Sequence, residues 1–232
     1  MSESIKKITK AFKVDLDSSE NQNILKPSAR PFNNQVHQVN EAAKKIYQLI
    51  KDAQYSNDDI ILNHSKIKEA FFSPFRPQLK SAQVFLSHSH ADKNKALKVK
   101  NYLESETNHR VFIDSLFWDY KDDVLNELAK RYYTSKIEDA FTLILRESLQ
   151  DMIEKCPYFV FLQSNNSVSF NQDLSYTTYS AWIYEELKIA HSIRESRPTP
   201  MMESWQVSHN ISPFLESLET ITLSKLSHII NS

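Results

Sequence analysis

Glycine is absent from all 232 residues of the chain, and no other feature limits its possible folds as sharply. Backbone positions with positive φ must then fall to Asn or Asp, as at Asn108, Asn165-Asn166 and Asn171, or be avoided. The Gly-rich phosphate cradle of P-loop enzymes and the glycine fingerprint of the classical dinucleotide-binding fold are both excluded.

Composition narrows the remaining classes. The 28 basic and 29 acidic residues leave a formal net charge of -1, so no global field draws the chain onto nucleic acid or an anionic membrane. Neither is expected as a partner. The opening MSESIKKITKAF has no apolar core of a signal peptide, and nowhere is there an apolar run of the ~18 residues needed to cross a bilayer. The single Cys156, set before Pro157 and an apolar run, reads as a buried small hydrophobe. A reducing, cytoplasmic setting is the expectation.

Along the chain, residues 1–33 mix charge, Ser, Asn and Pro without a sustained period and predict a loosely ordered arm. Residues 34–80 predict a helical extension. In it Val36, Val39, Ala42, Ala43, Ile46 and Ile50 recur at helical spacing up to about Ala53, and a second helix is expected from Asp58 to Phe72. Pro74 and Pro77 end that region.

Strands and helices then alternate. Gln83 to Ser87 is a short apolar strand, followed by a helix from Asp92 to about Ser105 with Asp92 as its N-cap. Val111 to Asp114 is a second strand. The polar and aromatic segment Ser115 to Tyr133 is expected to hold a short helix only at Lys121 to Lys130. Ser135 to Lys155 is a helix, Tyr158 to Gln163 the third strand, and Ser180 to Ser196 another helix. Residues 201–232 predict a closing element, with Trp205-Gln206-Val207 as a last strand and Ile211 to Ile230 mostly helical. Such alternation implies a parallel sheet covered on both faces, with sites at the carboxyl ends of its strands.

Two motifs carry chemistry. His88-Ser89-His90-Ala91-Asp92 resembles the His-x-His-x-Asp-His signature of metallo-β-lactamase-fold hydrolases, but Lys93 stands where that family places a histidine ligand for its second metal. His109, His191, His209 and His228 are scattered singly. No metal is expected. In the second motif, Ser180-Ala181-Trp182-Ile183-Tyr184-Glu185-Glu186, Trp182 and Glu186 are four residues apart and share a helix face, and Ser180 can cap the helix. Taken alone, that motif reads more readily as packing residues beside solvated acids.

Together and in order, the strand-serine-helix opening Val84 to Asp92, the strand ending Phe112-Ile113-Asp114, the strand Tyr158 to Gln163 and the Ser-x-Trp-x-x-x-Glu run resemble Toll/interleukin receptor (TIR) domains of the bacterial type. The likeness covers roughly residues 81–200, the scale of one compact domain. It implies a flavodoxin-like α/β fold and an enzyme that consumes NAD by cleaving the nicotinamide–ribose bond, giving ADP-ribose or a cyclic ADP-ribose-type signal in bacterial anti-phage immunity. By the same resemblance Glu186 is catalytic, and Ser87, His88, Ser89, Asp114, Trp118, Ser180 and Trp182 line the substrate site. Asp114 and Trp118 would open the so-called BB loop. NAD is then substrate and no cofactor is implied. The implied partners are other TIR domains or further copies of the chain, and a downstream effector that senses the product.

The match has departures. Ile183 follows Trp182 where many TIR domains have Cys, and the loop after Asp114 has no glycine. A non-catalytic TIR assembly module, and an enzyme like the nucleoside deoxyribosyltransferases, are the alternatives that keep the fold.

Overall fold

The computed structural model describes residues 10–25, 35–52, 54–56, 59–61, 63–73, 81–130, 135–170, 175–192 and 209–232. The chain divides into two compact units, one made of Met1–Ser28, Ala82–Asp114 and Leu149–Ser232, the other of Ala29–Ser81 and Ser115–Ser148. Among the described residues, no helix is long and apolar enough to cross a membrane.

The first unit is built on five parallel strands: β1 (Lys10–Asp15), β4 (Ala82–Ser87), β5 (Arg110–Ile113), β6 (Tyr158–Gln163) and β10 (Glu219–Thr220), in the order β10-β1-β6-β4-β5. The parallel α/β sheet is as the alternation of elements implied, and the flavodoxin-like arrangement is as the resemblance implied. Val84, Phe85 and Leu86 of β4 and Phe159 to Leu162 of β6 are all fully buried, the near-continuous apolar pattern of strands covered on both faces. Phe85 stacks on Phe159 at 5.7 Å between ring centres. The helix after β4, α4 (Lys93–Glu106), turns Ala96, Val99 and Leu103 onto the sheet, a stripe with spacings of three and four.

Counting from β4, strands β5, β4 and β6 stand in the second-first-third order of the flavodoxin-like sheet. The next place is taken by a strand from the opposite end of the chain. Rather than belonging to a loosely ordered arm, Lys10–Asp15 form β1 and pair along their whole length with β6. Their pattern is genuine: Phe12, Val14 and Leu16 are buried at period two. Lys13 and Asp15 occupy the alternate positions, and with Lys10 they keep the run from reading as the continuous apolar stretch of a covered strand. Lys13 extends its ammonium to the carbonyl of Leu215 at 3.2 Å, the snorkelling that lets a lysine sit in a covered strand.

The C-terminal residues also differ from expectation. Residues 211–232 carry two helices, α8 (Ser212–Glu216) and α9 (Leu223–Asn231), separated by the edge strand β10. Trp205 to Val207 lie outside the described residues. A small antiparallel sheet, β7 (Ser169–Phe170), β8 (Tyr176–Thr178) and β9 (His209–Asn210), precedes and follows α7 (Ala181–Ser192) in the chain.

Tight turns are made without glycine by side-chain oxygens that accept from the backbone amide two residues on. Asp15 does so for Asp17 at 2.9 Å, Ser164 for Asn166 at 3.1 Å, Thr178 for Ser180 at 3.2 Å and Asn210 for Ser212 at 3.0 Å. These oxygens stand in for turn carbonyls. Asn21, the one buried residue of α1 (Ser19–Ile24), extends the same economy: its amide donates to the Asp15 carbonyl at 2.7 Å and its oxygen accepts from the Leu223 amide at 3.0 Å.

The second unit holds α2 (Gln35–Lys51), a hairpin of β2 (Gln54–Ser56) and β3 (Asp59–Ile61), α3 (His64–Phe72), α5 (Ser115–Ala129) and most of α6 (Ser135–Lys155). The expected second helix therefore begins later, at His64, where Asn63 caps it by accepting from the Lys66 amide at 3.1 Å. Asp59-Ile60-Ile61 pairs as a strand instead, in keeping with the β-branched isoleucines. The segment after Asp114 is likewise not a loop with a late helix, because α5 begins at Ser115. Its buried Tyr120, Val124 and Leu128 follow helical spacing, and the Tyr120 hydroxyl donates to the Phe71 carbonyl at 2.9 Å.

If β1 is integral, a chain starting at residue 17 leaves β6 and β10 without the neighbour between them. It is expected to lose more stability than a large core truncation, which costs about 3–5 kcal/mol, and to show no cooperative transition in chemical denaturation. A cooperative transition matching that of the full chain would restore the arm reading.

Candidate functional site

The carboxyl ends of the first unit's strands converge where the strand order reverses, at β4 between β5 and β6. Crevices of doubly wound sheets open at that point. Here β4 ends in Ser87 and is followed by His88, β5 is followed by Asp114, and β6 by Ser164.

Ser87 and His88 are consecutive and engage different partners. The Ser87 hydroxyl donates to Oε2 of Glu186 at 2.5 Å, joining residues 99 positions apart in the chain. Nδ1 of His88 lies 2.8 Å from Oδ1 of Asp114, within ion-pair distance but not aligned as a hydrogen bond. All four side chains are buried: Ser87 and Glu186 have no exposed surface, and His88 and Asp114 keep 2% and 4%. The expectation that Glu186 could be an ordinary solvated acid is overturned, and its neighbour Glu185 is buried as well. Ile183, Leu187, Ile189 and Ala190 of the same helix are buried with them.

Several polar atoms in this cluster have no hydrogen-bond partner among the described residues: both ring nitrogens of His88, Oδ1 of Asp114 and Oε1 of Glu186. Buried polar atoms are normally satisfied, and clustered exceptions at strand ends are where a ligand or a proton has work to do. Burial pushes the Glu186 carboxyl well above its ordinary value; the negative charge of Asp114 pushes the same way, and the Ser87 hydrogen bond opposes it. Glu186 thus keeps its proton to a higher pH than a solvated glutamate does.

The other residues implicated by sequence fall around this group in different ways. Ser180 caps α7, its hydroxyl accepting from the Ile183 amide at 3.3 Å. Trp182, one turn before Glu186 on that helix, is half-buried. Ser89 is half-buried and precedes a 3-10 turn over His90–Asp92, where its side chain makes no capping bond. Trp118 falls in α5, in the other unit, and its side chain lies outside the described residues.

Asp92 stands at the start of α4 without capping it through its side chain. Its carboxylate is taken by other groups. It accepts a short hydrogen bond from the Ser164 hydroxyl and another from the Asn166 amide at 2.9 Å, with the Lys95 ammonium 3.7 Å away. Lys95 also pairs with Asp17 at 2.8 Å, and the second oxygen of Asp17 accepts from the Asn165 amide at 3.0 Å. The Lys95 bond first, then the Asn165 bond, hold the Asp17 carboxyl below its usual range. Asp17, Asp92, Lys95 and Ser164 to Asn166 therefore tie together the segments that follow β1, β4 and β6. Ser164 follows the third apolar strand, at a carboxyl end where sites form, whereas neither Asp17 nor Lys95 stood out in the sequence.

His90 is exposed and Asp92 is engaged, so the histidine motif does not assemble. Among the described residues no three His, Cys, Asp or Glu side chains are grouped to hold a metal ion. No family model, curated protein or solved structure matches the chain.

Because Glu186 titrates above its ordinary 4.5 in the folded chain, its contribution to stability is complete below that pH and is lost as pH rises through the folded value. Glu186→Gln, which stays neutral and keeps an acceptor for Ser87, is expected to melt at a higher temperature than the native chain at pH 8. The gap should close as the pH falls toward 4.5. Thermal denaturation of both chains across that range checks it.

Proposed function

We propose that the chain is an NAD-consuming enzyme of the TIR type that breaks the bond between nicotinamide and ribose, with Glu186 as its catalytic residue. The observation that carries this reading is the 2.5 Å bond from Ser87 to Glu186. It brings the two sequence motifs that resemble TIR domains to one place, at the switch point of a doubly wound sheet.

The chemistry suits such a carboxyl. Nicotinamide leaves as a neutral base and takes the bonding electron pair, and the ribose carbon it leaves develops oxocarbenium character. An ionised carboxylate beside that carbon stabilises the charge, most strongly where water is excluded. Glu186 holds its proton when the site is empty, and the pyridinium charge of NAD favours the ionised form as the substrate arrives. Ser87 assists, since a hydroxyl donor also favours the carboxylate. Attack by water then yields ADP-ribose and a proton; attack by an adenine nitrogen of the same molecule yields a cyclic product and a proton. In a bacterial setting, either product can serve as a signal to a downstream effector in defence against phage, within the cytoplasm.

Purified protein incubated with NAD, alone and with lysate from phage-infected cells, is expected to release nicotinamide. Glu186→Gln or Glu186→Ala should lower the rate by about 100-fold or more, the scale for losing a buried electrostatic stabiliser. Release that survives either substitution overturns the catalytic assignment. Self-association without turnover, unaffected by Glu186→Gln, supports a TIR assembly module. Base exchange on nucleosides with no action on NAD supports a chain that works like the nucleoside deoxyribosyltransferases.

A further inference from the structure

We propose that Asp114 is a positioning residue that acts through Glu186: the two buried carboxyls share one proton, and His88 holds Asp114 in place for it. This differs from the substrate contact that the TIR resemblance assigns to Asp114, and it deepens the proposed role of Glu186, on which it rests.

The geometry leads to it. Glu186 receives one hydrogen bond on Oε2 from Ser87, and Oε1 has no partner among the described residues. Asp114, placed by the end of β5, presents a second buried carboxylate, whose Oδ1 is in contact with the His88 ring but makes no aligned hydrogen bond. Ile113 pairs with Leu86, so Asp114 follows beside Ser87, the residue whose hydroxyl reaches Glu186; two buried carboxylates set around one residue cannot both be ionised at low cost, because like charges repel strongly in a low dielectric. A proton held between them removes the repulsion and satisfies an otherwise unpaired oxygen. The negative charge of Asp114 acts on Glu186 in the direction this requires.

The surrounding groups leave Asp114 as the acid that does this. From β4, Ser87 opposes the effect and His88 faces Asp114. The carboxylate of Asp92, farther along the same segment, is engaged by Ser164 and Asn166. Glu185, the adjacent acid on α7, is not among the groups that shift Glu186. A site of this kind keeps its catalytic carboxyl neutral until a cation enters, so that pairing with the substrate and loss of the shared proton occur together.

The test follows the Glu186 proton directly. In protein carrying 13C-labelled glutamate carboxyls, the resonance missing from Glu186→Gln identifies Glu186, and its chemical shift is followed against pH. Asp114→Asn is expected to move the midpoint down by roughly one pH unit or more, the scale of a neighbouring like charge. Asp114→Glu, which keeps the charge, should leave it high. If Asp114→Asn does not fold, Asp114→Ser removes the same charge with a smaller side chain and should give the same shift. An unmoved midpoint in a folded, charge-free variant overturns the proposal, as does a shift of equal size in Asp114→Glu.

Nicotinamide release forms a separate arm. Where NAD is cleaved, the pH at which activity rises should move down in Asp114→Asn together with the resonance. Where NAD is not cleaved, the titration still decides whether the carboxyls share a proton, so failure of the enzyme reading and failure of this one are distinguishable.

Discussion

Full burial of the Glu186 carboxyl is the constraint on which the rest of the site depends. A carboxylate at that position without compensation would be far more costly than a neutral acid, so every neighbour can be understood by what it does to the charge. Ser87 donates to one oxygen and favours ionisation; Asp114 opposes it; His88 faces Asp114. The balance leaves a group able to give up its proton when positive charge arrives. An exposed glutamate on the same helix would be ionised at all times and weaker toward a developing cation, because water would screen it.

Holding that balance requires the strand ends to be fixed, and in a chain without glycine the means are side chains. The segments after β1, β4 and β6 are laced by Asp17, Asp92, Lys95 and Ser164 to Asn166. Short polar side chains also form the turns themselves, as at Asp15 and Ser164. Each such oxygen replaces conformational freedom with a specific bond, so the turn is specified by residue identity instead of by permissive backbone. Rigid support of this kind is what a reactive group with unpaired atoms needs, since an unsatisfied buried oxygen otherwise drives local rearrangement toward water.

Much of this was legible from the residues. Uninterrupted apolar runs such as Tyr158 to Gln163 and strong helical periods such as Ser135 to Lys155 were read with their observed bounds, because burial on both faces or on one stripe leaves little ambiguity. The Trp182–Glu186 spacing placed both residues on one face of a helix, but it did not report that the glutamate is buried. What escaped was tertiary. Lys10–Asp15 carries three charges in six residues, and its place in the sheet depends on β6, well over a hundred residues later, supplying a paired edge. Asp92 has the sequence position of a helix cap, yet a closer match for its carboxylate comes from Ser164 and Asn166 on another loop. No local pattern reports a partner that distant.

The place of Asp114 in the chain gives the proposed proton sharing a structural logic. It ends the Ala82–Asp114 segment of the first unit, and Ser115 opens α5 in the second. Its backbone is anchored on one side by β5, whose Val111 to Ile113 pair in register with Val84 to Leu86 of β4, the strand that presents Ser87. The donor to Glu186 and the acid beside it are therefore carried by adjacent, hydrogen-bonded strands, whose spacing of about 4.8 Å is fixed by the sheet itself. A charge set this way does not depend on loop conformation. The tuning of Glu186 follows from strand register, and a variant that kept both acids but slipped β5 against β4 would lose it.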